Sequence, residues 1–71
     1  MDRERLLAQL SQAETHLAQG EMLVARQRVI LETLKRRGHH VTEAEELLRQ
    51  LEAAHSIQVA EHVRLLRELA R

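Results

Sequence analysis

Between its two ends the chain interrupts a continuous helical pattern in one place, the segment Arg37-Gly38-His39-His40-Val41-Thr42. Gly38 suits the left-handed conformation in which helices end, and the cations Lys35, Arg36 and Arg37 before it favour the negative pole of a helix C-terminus. Thr42, with Glu45 three residues on, predicts a capping box: the Thr42 hydroxyl accepts a main-chain N–H while Glu45 reaches back to the Thr42 amide. No proline breaks either flank. The reading is all-α, a single domain over 1–71, with helix 1 at about residues 2–37, a turn at 38–42 and helix 2 at about 43–70. So short a turn folds the two helices into an antiparallel hairpin.

Both helices carry the alternating four- and three-residue apolar spacing of a left-handed coiled coil. In helix 1 the seam runs Leu6, Leu10, Ala13, Leu17, Gly20, Val24, Gln27, Leu31 and Leu34; in helix 2 it runs Ala44, Leu48, Leu51, His55, Gln58, His62, Leu65 and Leu69. Leu47, Ala54 and Leu66 widen the second stripe. Charge supports the antiparallel arrangement. Residues 1–23 hold two basic and four acidic groups and residues 24–41 five and one, whereas 42–61 hold one and five and 62–71 three and one. Folding back brings each block against its complement, although exposed pairs set orientation more than stability.

A chain of 71 residues with no cysteine and no aromatic residue has few ways to enlarge its core. Disulfides and thiolate metal sites are excluded, and aliphatic helix packing remains. Apolar residues outside the seam, Leu7, Met22, Leu23, Val29 and Ile30 on helix 1 with Ile57 and Val59 on helix 2, exceed what one partner helix buries. They are the expected interface of a homodimer, two hairpins forming a four-helix bundle, or of a complex with another helical protein. The leading functional reading is a structural or protein-interaction module without catalytic activity.

The seam is interrupted by Gln27, His55, Gln58 and His62, with His16 beside it. Pairing Leu34 with Ala44 sets His16 near His62 and Gly20 near Gln58. The structural reading is a polar layer, hydrogen bonded across the helices, that fixes register at some cost in stability. The functional alternative is a metal- or pH-sensing layer in which His16, His55 and His62 supply imidazole nitrogens. Another alternative, a Rop-like nucleic-acid-binding hairpin, rests on Arg26, Arg28, Lys35, Arg36 and Arg37 near the turn. Against it, those cations face the acidic start of helix 2 and the net charge is +0. Ser11, Ser56, Thr15, Thr33 and Thr42 have neither elbow nor triad context, no glycine-rich loop cradles phosphate, and no cofactor is expected. The longest apolar run, Met22 to Ala25, is far short of the roughly 18 residues that span a bilayer, and Met1-Asp2-Arg3-Glu4-Arg5 is unlike a secretory signal. A cytoplasmic location without membrane association is the expectation.

The segments Ala13-Glu14-Thr15-His16, Gly20-Glu21, Ala25-Arg26-Gln27-Arg28, Gly38-His39 and Leu65-Leu66-Arg67-Glu68-Leu69 together resemble a group of short, uncharacterised bacterial coiled-coil proteins. The resemblance covers most of the chain and implies a helical hairpin with no established activity. Those proteins often carry an aromatic residue near position 51 and a histidine near position 58, where this chain has Leu51 and Gln58.

Overall fold

A computed structural model describes residues 2–71. Helix α1 spans Arg3–Arg36 and helix α2 spans Thr42–Leu69, and the two pack antiparallel along their length. At about 1.5 Å of rise per residue, 34 and 28 residues extend about 51 and 42 Å. The result is a rod of 54 × 14 × 14 Å with a radius of gyration of 16.2 Å, where a compact chain of this length would have about 11 Å.

Each end of α1 is closed by local chemistry. Asp2 is extended, and its carboxylate accepts the Arg5 N–H at 3.0 Å, satisfying one donor of the first turn. At the other end the Gly38 N–H donates to the Lys35 carbonyl at 3.1 Å and the His39 N–H to the Leu34 carbonyl at 3.0 Å. That pair of bonds is the Schellman motif, and it requires the left-handed residue that Gly38 supplies with φ of +71°. The sequence-based expectation for this turn is met at Gly38.

The start of α2 departs from expectation. Val41, not Thr42, is the capping residue, and it makes no side-chain capping bond. With φ −118° and ψ −4° Val41 already lies near helical geometry, so its carbonyl accepts the Glu45 N–H at 2.8 Å and Thr42 is drawn into the first turn. The Thr42–Glu45 capping box does not form.

Burial follows the two seams. Ala13, Gly20, Val24, Gln27 and Leu31 of α1 and Leu65 of α2 are buried, and the other seam residues of both helices are half-buried. A two-helix layer cannot do more, because each seam residue has neighbours on one side only. Among the described large side chains, Leu65 is the one almost fully enclosed, at 1% exposure. The chain exposes 5651 Å², about 1,100 Å² more than the roughly 4,600 Å² expected for a compact protein of its mass.

Candidate functional site

Two cross-helix contacts orient the sides of the hairpin. Residues seven apart on these helices share a side, because seven residues are nearly two turns. Leu7, Glu14, Glu21 and Arg28 form one such row on α1, and Glu52, Val59 and Leu66 form one on α2. Arg28 Nη2 meets Glu52 Oε2 at 3.0 Å, so the two rows flank the same side. His16, Leu23 and Ile30 form the other flanking row of α1, and Leu47, Ala54 and Glu61 that of α2. His16, Ile57 and Glu61 line one pit with Ala13 and Gln58, which places these rows together on the opposite side.

The exposed apolar residues therefore do not form one band. Leu23, Ile30, Leu47 and Ala54, with Ile57 at the margin, make a turn-proximal face on one side. Leu7, Val59 and Leu66, with Val63 at the margin, make a terminus-proximal face on the other. Met22 and Val29, 72% and 65% exposed, lie one step beyond Leu23 and Ile30 and point away from α2. Leu47, Val63 and Leu66 join the exposed set that sequence reading drew from Leu7, Met22, Leu23, Val29, Ile30, Ile57 and Val59. The seven-residue intervals carry the signal that separates them into faces.

The polar interruptions of the seam behave differently from one another. Gln27 is buried and its Nε2 donates to the Ala44 carbonyl at 3.0 Å, tying the middle of α1 to the first turn of α2. Gly20 lies against Gln58 and His55, and a Cβ at residue 20 would overlap Gln58 Oε1 and stand 2.8 Å from His55 Cδ2. The missing side chain thus makes room for two larger ones. His55 Nε2 and Gln58 Oε1 make no hydrogen bond within the protein. His62 Nε2 is 3.7 Å from Glu14 Oε2, too long for a hydrogen bond but within ion-pair range when the ring is protonated. Among the described residues, then, only Gln27 in this layer bonds across the helices.

His16 and His62 make no hydrogen bond to each other, and their side chains flank different sides of the seam. His16 precedes a seam position and His62 occupies one, so His16 is exposed on the turn-proximal side while His62 leans towards Glu14 on the other. No group of three or more histidine, aspartate or glutamate side chains able to hold a metal ion comes together among the described residues, and His16, His55 and His62 are not gathered into one.

Two residues of the basic cluster have side-chain partners. Arg28 is engaged by Glu52, and the Arg36 Nη2 donates to Thr33 Oγ1 at 3.5 Å. Arg28 and Lys35 share a row, whereas Arg36, Arg26 and Arg37 fall on three neighbouring rows on the other flank. Thr15 and Thr33 return their hydroxyls to the carbonyls of Ser11 and Val29, four residues back, at 3.2 and 2.9 Å. Among the described residues no helix is long and apolar enough to cross a membrane.

Compared with known protein families, curated proteins and solved structures, the chain gives no significant match. The expected helical hairpin is present, and no family is shown for the chain.

Proposed function

We propose that this hairpin is a protein-interaction module whose first partner is a second copy of itself, the two hairpins forming a four-helix bundle. The observation that carries the reading is the excess of about 1,100 Å² of exposed surface, in a chain whose Leu23, Ile30, Leu47 and Leu66 flank the seam and stand partly in water. A standard protein–protein interface removes about 800 Å² from each partner, which matches that excess in size. Small chains without disulfides or metals gain their missing burial by association. The module acts by presenting helix surfaces, with Gln27 and the Gly20–Gln58 contact holding the register in which those surfaces are displayed.

The test is the solution mass by light scattering across a dilution series. A species of twice 8.3 kDa that persists to micromolar concentration supports the bundle. A chain that stays at 8.3 kDa throughout overturns self-association and leaves a different helical protein as the partner.

A further inference from the structure

The two apolar faces differ in charge, and the difference decides which one a second copy can cover. Across the levels of Gln19 to Thr33 on α1 and Leu47 to Ile57 on α2, the turn-proximal side carries, among the described residues, the single charge of Arg26. Leu23 and Ala54 stand at one level there and Ile30 and Leu47 at the next, because Gly20 is set against Gln58. Apolar residues from both helices thus form one contiguous strip that can meet its own image. The terminus-proximal side is unlike it. Glu14 and Glu21 repeat at the same interval as Leu7, and Glu4 lies beside them, so that flank of α1 is acidic without an intervening cation.

A two-fold dimer sets a surface against itself, residue i of one copy meeting residue j of the other, so a side that carries charge of one sign meets the same sign again. On the terminus-proximal side, at the levels of Glu4, Glu14 and Glu21, that would bring the carboxylates of two copies onto one partly desolvated surface, which is unfavourable. On the turn-proximal side it joins leucine, isoleucine and alanine. Resting on the homodimer reading above, we infer that the second copy docks on the turn-proximal face formed by Leu23, Ile30, Leu47 and Ala54, and that Leu7, Val59 and Leu66 remain outside the dimer. The occupant is a second copy because the strip is self-complementary in charge and present on both helices.

The experiment compares the full chain with three variants by light scattering and sedimentation, with helicity followed by circular dichroism. Leu23→Glu with Ile30→Glu places acid in the centre of the strip. Ala54→Glu does so at an exposed position while removing no large apolar side chain, which guards against simple loss of the hairpin. Leu7→Gln with Leu66→Gln alters the other side. Dimerisation weakened about 100-fold or more by both turn-proximal variants, with helicity retained and the terminus-proximal variant unchanged, is the expected result. A dimeric parent that Leu7→Gln with Leu66→Gln dissociates, and that Ala54→Glu leaves intact, overturns the face assignment but preserves the homodimer. A monomeric parent overturns both.

Discussion

Gly20 of α1 and the Gln58 side chain of α2 occupy adjoining space in which one more carbon on Gly20 does not fit. In an isolated helix, alanine at this position would be worth about 1 kcal/mol over glycine. Here the added methyl must displace the Gln58 amide and crowd the His55 ring, whose Cδ2 stands 2.8 Å from the Cβ position. The interhelix contact therefore competes with helix propensity at a single residue.

The first expectation concerns that competition. Gly20→Ala lowers the melting temperature, and the loss shrinks when Gln58 is also replaced by alanine, with a coupling of about 1 kcal/mol between the two sites. Urea unfolding of the four proteins in the cycle provides the measurement. Additive effects would show that Gln58 and His55 step aside without cost.

Gln27 gives the opposite case. Its bond to the Ala44 carbonyl is made to an acceptor inside a helix, so removing the amide does not strand a partner. Gln27→Leu should raise the stability of the hairpin by about 1 kcal/mol, while Gln27→Ala, which leaves a gap in the seam, should lower it by about 1–2 kcal/mol. Thermal melts of both variants decide the point: a destabilised Gln27→Leu would mean that the hydrogen bond outweighs apolar burial at this level.

At the turn, Gly38 holds φ of +71°, where a side chain is strained. Gly38→Ala should cost about 1–2 kcal/mol, and Gly38→Asn less, because asparagine tolerates the left-handed region. Nothing lies within 4 Å of the Cβ position, so the loss arises from backbone conformation alone. Equal losses for alanine and asparagine would point to another cause.

Acid should weaken α2 through two exposed carboxylates. The Arg49 guanidinium, by hydrogen bond and charge, holds the Glu46 carboxyl below its ordinary range, and Arg64 does the same for Glu61. A carboxyl whose folded-state value is depressed contributes stability above its unfolded value, near 4.5, and loses it as the pH falls through the lower folded value. Melting temperature should therefore fall modestly between pH 5 and about pH 3. Glu46→Gln with Glu61→Gln should flatten part of that decline; an identical pH profile in the variant would remove these pairs as its source.

The sequence by itself determined the two helices, their antiparallel return and the residues of the seam. Heptad spacing is local and periodic, and the short turn at Gly38 between two amphipathic helices leaves the chain one direction in which to fold back. Tertiary structure decided what periodicity does not carry. The structure places the cap at Val41 in place of Thr42, where the backbone before α2 is already close to helical. It set His62 towards Glu14 and left His16 on the other side, since residues one heptad position apart diverge by about 100° around a helix. It also divided the exposed apolar residues into two faces with different charge, a distinction that arises only once Arg28 meets Glu52 and the sides of the two helices are matched.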